Sequence, residues 1–393
     1  MPDTAGSTGS ASSAGSPGTP QDRPTVERGD LLFGEIRDWL LRFICTMDDS
    51  DLDLLVLWAA HTHLCIETYT TPRLILDSPV PGSGKTTTLD HLERLCLHPV
   101  QMASLSSPAL LTRMLDAGMR TILIDEADRS LNEKMDGVPE LLAVLNSGYK
   151  RGGTRPVLVP GKEGKWTVSE MSTYSPVAMA GNNPNLPDDT RSRSIRVLLM
   201  PANIEDKVED SDWEMNDQPA RELGARLAAW AERVRDQVRS ERPPLPDVVT
   251  GRARERWFPL MRVATAAGGR WPAVVADLAV RDVERVTLER EEGIVQQRPA
   301  VALIHHTAAV WPDDQSFVAT EVLIRSLTTT HPDIWGSDSA FGKALTPQRL
   351  GRMLVSSYNI HSSRLGGVGA RGYTRLSFEQ AWRRMGVRKT VRP

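Results

Sequence analysis

The stretch SPVPGSGKTTTLDHLERL, residues 78–95, decides the fold. Its middle, GSGKT, carries the glycines, lysine and hydroxyl of a phosphate-binding loop, but Pro79 stands where the pattern G-x-x-x-x-G-K-[ST] has its first glycine. The flanking sequence resolves the conflict. RLILDS (73–78) reads as a strand and TTTLDHLERL (86–95) as a helix. A loop between a strand and a helix N-terminus turns its amides, and the positive end of the helix, toward an anion. Gly82 and Gly84 let the backbone approach phosphate and take dihedrals that other residues avoid. The cradling amides come mostly after the missing glycine, so Pro79 and Pro81 stiffen the entry without abolishing the site. Pro81, Gly82, Ser83, Gly84, Lys85, Thr86 and Thr87 then form a nucleotide-binding set. In it Lys85 contacts the β- and γ-phosphates, and Thr86 places its hydroxyl on Mg²⁺.

Downstream, β-rich apolar runs alternate with helical patterns, which predicts a parallel sheet covered on both faces. RTILIDEAD (120–128) is a buried strand ending in adjacent carboxylates. Asp125 suits the metal shell and Glu126 the polarisation of an attacking water; Asp128 reads as a surface or capping acid. AGNNPNLPDDTRSRSIRV (180–197) follows a further strand. Asn182, with Asn183 second, is the polar residue at that strand tip, or else part of an Asn turn before Pro184. Arg193, then Arg191, could reach a neighbouring subunit's γ-phosphate; the alternative is ordinary surface arginines. TRPVLVPGKEGKWTVSEM (154–171) breaks the alternation as an inserted β-hairpin. Lys162 and Lys165 at its turn suit contact with single-stranded DNA, or are simply solvated. Trp166 stacks on a base or packs into the core, and packing is the expectation.

In order, these segments resemble the core of the AAA+ ATPases, and the inserted hairpin resembles the pre-sensor hairpin of superfamily 3 and minichromosome-maintenance helicases. More closely, TPRLILDSPVPGSGKT, LIDEAD, LNSGYKRGG, RSRSIRV, RERWFPLMRVATAAGGRWP and ARGYTRLSFEQAW are similar to a bacterial and phage family of helicase-like ATPases often fused behind a primase–polymerase domain. The resemblance covers roughly residues 50–387. It implies ATP with Mg²⁺, a homo-oligomeric ring such as a hexamer, and ATP-driven movement on single-stranded or forked DNA in phage or mobile-element replication. A separate primase or replisome protein would be a partner. A helicase loader, or an ATP-gated DNA-binding regulator or defence ATPase, is the alternative. The resemblance also implies a lid arginine that senses nucleotide, for which Arg252 fits best.

The expected architecture is therefore α/β: an AAA+ three-layer parallel-sheet core with a hairpin, a helical lid and a winged-helix-like module. The expected segments are a disordered tail (1–28), N-terminal helices (29–66), the core (67–202), an acidic loop and lid (203–310) and the basic module (311–393). Net charge is −3, yet residues 341–393 carry +10, leaving −13 on the remainder. A basic block on an acidic body points to a polyanionic partner, or else is a solvated basic tail. Arg349 and Arg352 lie on its candidate recognition helix, with Arg364, Arg371 and Arg375 beside the wing. Nothing there reads particular bases. No apolar run reaches membrane-span length. Cys45, Cys65 and Cys96 are scattered, which suits a reducing cytoplasm, that of a bacterial host cell by the resemblance. The histidine pairs at 61/63 and 305/306 lack partners at metal-ligand spacing and read as structural.

Overall fold

The computed structural model describes residues 27–103, 107–160, 165–184, 186–203, 206, 208–291, 299–337, 339, 341–365 and 369–387. Most of the expected tail, residues 1–26, lies outside them. The chain forms two compact units, residues 1–284 and 285–393.

The first unit is built on a five-stranded parallel sheet. In chain order its elements are α1 (Gly29–Leu41), α2 (Ser50–Leu64), β1 (Arg73–Ser78), α3 (Lys85–Leu95), β2 (Pro99–Met102), α4 (Pro108–Asp116), β3 (Thr121–Ile124), α5 (Ala127–Ser130) and α6 (Val138–Ser147). The hairpin strands β4 (Thr154–Pro160) and β5 (Trp166–Ser172) come next, then β6 (Val177–Asn182), α7 (Asp188–Arg191) and β7 (Ser194–Leu198). Three long helices follow, α8 (Trp213–Ser240), α9 (Gly251–Ala267) and α10 (Trp271–Glu291). The sheet order is β2-β3-β6-β1-β7, with β4 and β5 paired separately. This is the α/β, three-layer AAA+ type of core expected from the sequence.

β1 is buried at all six positions. Side chains alternate across a strand, and the two faces of this sheet enter different cores. Leu74 and Leu76 join Leu123, Ala178, Ala180, Ile195 and Val197 on one face. Ile75 joins Ile122, Ile124, Val177 and Met179 on the other, under α4 and α6. The first face is covered by α1, α2, α3 and the long helices together. α2 is buried from Asp51 to Leu64 without an exposed side. The N-terminal helices and the lid are thus one layer over the sheet. Buried carboxylates join its parts: Asp53 pairs with Arg37 at 3.2 Å and Arg270 at 2.5 Å, and Glu67 with Arg235 at 3.2 Å and Arg239 at 2.6 Å.

The second unit comprises α11 (Pro299–Val310), β8 (Phe317–Ala319), α12 (Thr320–Thr330), α13 (Pro332–Trp335), α14 (Pro347–Tyr358), β9 (Ser363–Arg364), β10 (Arg371–Thr374) and α15 (Arg375–Arg384). Its sheet runs β8-β10-β9, antiparallel, around a core that includes Trp311, Trp335, Tyr373, Phe378 and Trp382. The arrangement of helices about a small antiparallel wing is winged-helix-like. Sequence reading opens this module at 311. The fold places α11 in it as well, because Leu303 and Ile304 complete its apolar core. His61, His63 and His306 are packing groups. The buried His61 bonds Thr71 at 3.1 Å, and burial pushes its pKa down to about 3. His306 accepts from Trp335 Nε1 at 2.9 Å and stacks on His331.

α3, the helix that opens on the glycine loop, is clamped against α8. A Cβ built on Gly224 of α8 would lie 2.1 Å from the Arg94 carbonyl oxygen. Gly→Ala in a helix ordinarily stabilises by about 1 kcal/mol. Here Gly224→Ala should reverse that sign and destabilise by about 1–3 kcal/mol, because the two helices must separate. Urea unfolding of the two proteins measures the difference.

Candidate functional site

The glycine loop leaves the C-terminal end of β1. Gly82 and Gly84 have φ values of +78° and +80°, a left-handed region that glycine enters without penalty. Thr88 Oγ1 donates to the Gly84 carbonyl at 2.8 Å and fixes the helix entry. Lys85 Nζ folds back on its own loop, donating to the Val80 carbonyl (3.2 Å) and Ser83 Oγ (3.0 Å).

The next two strand tips converge on the loop. Thr86 Oγ1 donates to Asp125 Oδ2 at 2.9 Å. Glu126 has φ +50°, rare for a residue with a side chain, and its amide donates to Asp125 Oδ1 at 2.8 Å. Its carboxylate is exposed, 3.3 Å from Arg129. Asn182 ends β6 in register with Ser78 of β1. Its amide donates to Asp128 Oδ1 (3.2 Å), while its own Oδ1 is buried without a partner. Asn183, the second choice, is exposed and turned away at φ +45°, its amide on Asp77. Asp128 therefore caps the tip of β6. Gly181 lies so close that an added Cβ would be 2.7 Å from Asp128 Oδ1.

A cavity of about 410 Å³ opens beside the loop residues Gly82–Thr87. Phe43, Cys45, Met200, Ala202 and Val208 line its other end, and sequence reading missed all of them. They come from the chain before α2 and after β7, which meet where Met200 N donates to Cys45 O at 3.1 Å. Arg42, bonded to Glu209 at 3.0 and 2.7 Å, ties the same two segments. Burial, with Asp206 nearby, raises the Cys45 thiol pKa above its ordinary value.

The arginines lie elsewhere. Ser194, the start of β7, is in register with Arg73, the start of β1. Arg193 is therefore at the opposite edge of the sheet from the loop, about 17 Å along the strands at roughly 3.3 Å per residue. Arg191 pairs with Asp188 at 2.8 Å, and Arg193 with Asp189 at 3.5 Å. Arg252, the candidate lid arginine, lies away from the loop of its own chain. It pairs with Glu255 and lies 5.7 Å from the centre of the Tyr149 ring, which Arg193 also faces at 5.9 Å. The Tyr149 carbonyl accepts from Thr71 N just ahead of β1, so this whole group belongs to the far edge.

On the hairpin, Lys162 lies outside the described residues. Lys165 is exposed, and Trp166 is 65% exposed, which overturns the expectation that it packs into the core. Leu158 and Val168 are paired in register and exposed with it. Lys150 and Arg151, just before the hairpin, are engaged, with Glu255 (3.2 Å) and with the Ile66 carbonyl (2.9 Å). In the second unit Arg349 bonds back to the carbonyls of Lys343 and Ala344, so it is committed to the entry of α14 rather than free on its face. Arg352, Arg364 and Arg371 are exposed. Among the described residues none of the three forms an ion pair, and no group of three or more His, Cys, Asp and Glu could hold a metal ion. Among the same residues no helix is long and apolar enough to cross a membrane.

The fold is α/β, a three-layer parallel-sheet core of AAA+ type with a glycine loop between β1 and α3. Residues 202–385 match the family described as a protein of unknown function (DUF3631). A relative from Saccharopolyspora erythraea, an uncharacterized 28.9 kDa protein in the xis 5′ region, is 30% identical over 166 residues, 41% of this chain and 59% of its own length. The chain thus matches less than two thirds of that relative. Among solved structures, the chain is similar to the NrS-1 C-terminal region, at 13% identity over 86% of this chain and 75% of that one, with TM-score 0.43. It is also similar to the Thermotoga maritima RuvB Holliday junction branch migration motor, at 16% identity over 89% and 99%, with TM-score 0.28.

Proposed function

We propose that this chain is an ATPase that assembles with copies of itself, completes each catalytic site at a subunit seam, and uses ATP to move along DNA. One observation carries the reading. The loop with Lys85, the Thr86–Asp125 pair, Glu126 and Asn182 gather at one edge of the sheet, while Arg191, Arg193 and Arg252 gather at the other. A chain holding a triphosphate at its loop has none of these guanidiniums within reach. A neighbour that presents its far edge supplies them.

In this reading the loop amides and Lys85 bind the phosphates, with the base toward Phe43 and Met200. The Thr86 hydroxyl and Asp125 carboxylate, already bonded to each other, are a hard-oxygen pair suited to Mg²⁺. The bound metal would neutralise phosphate charge. Glu126 is exposed and accepts a proton from water. The unbonded Oδ1 of Asn182 is a buried acceptor that such a water would satisfy. Arg193 from the neighbour stabilises the charge that develops as the terminal phosphate leaves.

DNA contact is assigned to the hairpin tip, where exposed Trp166 sits beside Lys165, and to the wing of the second unit. There Arg364 lies directly opposite Arg371 across the β9–β10 pair. Like charges so placed destabilise a sheet, and a phosphate backbone relieves the repulsion. A role in phage or mobile-element replication, with a separate primase, is the finer form of this proposal.

Mixing variants tests the seam. Lys85→Ala and Arg193→Ala should each lower ATP turnover about 10³-fold or more. Combined in equal amounts they should regain a substantial fraction, because some seams then pair an intact loop with an intact arginine. A mixture as inactive as its components would sink the shared site. Trp166→Ala should weaken binding of a fluorescent single-stranded oligonucleotide by about 1–3 kcal/mol, or roughly 5- to 150-fold, if a base stacks there. An unchanged affinity in anisotropy titrations would remove the hairpin from the DNA path.

A further inference from the structure

Glu255 stands between two parts of the molecule to which the proposed function gives different jobs. One carboxylate oxygen pairs with Arg252 one turn earlier on α9, and the other with Lys150 Nζ at 3.2 Å. Its main-chain carbonyl accepts from Thr70 Oγ1 at 2.7 Å, and Thr70 is bridged to Lys150. Arg252 shares the Tyr149 ring with Arg193 at the far edge of the sheet. The Tyr149 side chain is fully buried and its hydroxyl has no hydrogen-bond partner.

Lys150 belongs to the root of the hairpin. The Gly153 amide donates to the Lys150 carbonyl at 3.0 Å, and the Thr173 amide to the Gly153 carbonyl at 2.9 Å, which closes the two hairpin legs on each other. Gly148 is jammed against the second leg, since an added Cβ would lie 2.0 Å from the Thr173 oxygen. The root therefore moves as one piece. A pull on the hairpin tip displaces Lys150 rather than bending the strands away from it.

We propose that Glu255 is a positioning residue that makes the release of Arg252 depend on the hairpin. The inference rests on the seam reading above. With Lys150 docked, Glu255 keeps a cation when Arg252 leaves for a neighbour's triphosphate, so letting go costs little. With Lys150 drawn off, Arg252 is the carboxylate's remaining partner, and departure would strand an unpaired, half-buried anion. All three side chains are about 35–40% exposed, so the pairs are weak enough to exchange during a catalytic cycle. No bond is made or broken; a guanidinium changes anionic partner.

The mechanism fixes opposite signs for two substitutions, and that separates it from a merely structural role. Lys150→Met should lower kcat by about fivefold or more with little change in KM for ATP, because Arg252 is then retained by Glu255. Glu255→Gln should change turnover little in the absence of DNA, where Lys150 is docked, and raise it by a similar factor with added single-stranded oligonucleotide, whose pull on the hairpin draws Lys150 off. The double variant should follow Glu255→Gln, since Lys150 acts only through that carboxylate, and Glu255→Asp should keep much of the wild-type DNA response. If both single variants lower kcat and their effects multiply in the double, the coupling is wrong even though the seam stands. A wild-type protein without ATP turnover that DNA stimulates would overturn the functional proposal itself, whatever the variants do.

Discussion

Six buried residues of β1 set the terms for everything else. The strand is hydrogen-bonded on both edges, to β6 and β7, and packed on both faces. It can neither shorten nor tilt without opening two cores. Its C-terminal end leads straight into the glycine loop, and its N-terminal end lies beside Arg193. The separation of about 17 Å between phosphate-binding groups and arginines is thus a property of strand length in a parallel sheet. It follows that the lone chain is an incomplete catalyst on the proposed reading, and that oligomerisation is part of its chemistry.

The N-terminal end of β1 also concentrates positive charge. Arg73 is fully buried, bonded to the carbonyls of Ser175 and Leu145, and desolvation pushes its pKa down to about 10. It faces the Tyr149 ring at 6.0 Å, as Arg193 and Arg252 do from 5.9 and 5.7 Å. Three guanidiniums around one ring repel each other. The aromatic face offsets a part of that, and Asp189 and Glu255 a further part. On the proposed reading a neighbour's triphosphate meets donors already assembled, and only weak local pairs must open to admit it.

The central site was legible because its signals are local. A strand, a glycine loop and a helix are contiguous, and the carboxylates of Asp125 and Glu126 end an apolar run whose burial could be read from four residues. Asn182 was found by the same logic, at the tip of a strand rich in small apolar residues. What was not legible depends on long-range packing. The layer over the sheet joins α2 to helices some 200 residues later, and the base end of the cavity joins Phe43 to Met200. Arg252 lies in a helix whose register against the sheet no periodicity reveals; the resemblance named it as a lid arginine, and packing sets it on Tyr149. Trp166 was expected inside because a large aromatic usually gains most there. The hairpin pairs Trp166 with Pro160 and Leu158 with Val168, leaving one apolar face of the ribbon uncovered. α11 read as lid because its pattern is apolar nearly all round, and only the aromatic core of the second unit tells which layer it fills.

On the proposed reading, that uncovered ribbon face bears on what the DNA-contacting elements read. Trp166 offers a flat ring, which takes any base, and Lys165 a point charge, which takes any phosphate. In the wing, Arg364 and Arg371 face each other without a carboxylate between them, and Arg349 is already spent on the chain's own carbonyls. None of these groups is held as a paired donor and acceptor against a base edge, the arrangement that sequence discrimination needs. The chemistry supports attachment through backbone charge and stacking, which tolerates any sequence and can be surrendered step by step. Movement along DNA, as proposed, needs contacts of that kind, strong in sum and individually easy to break.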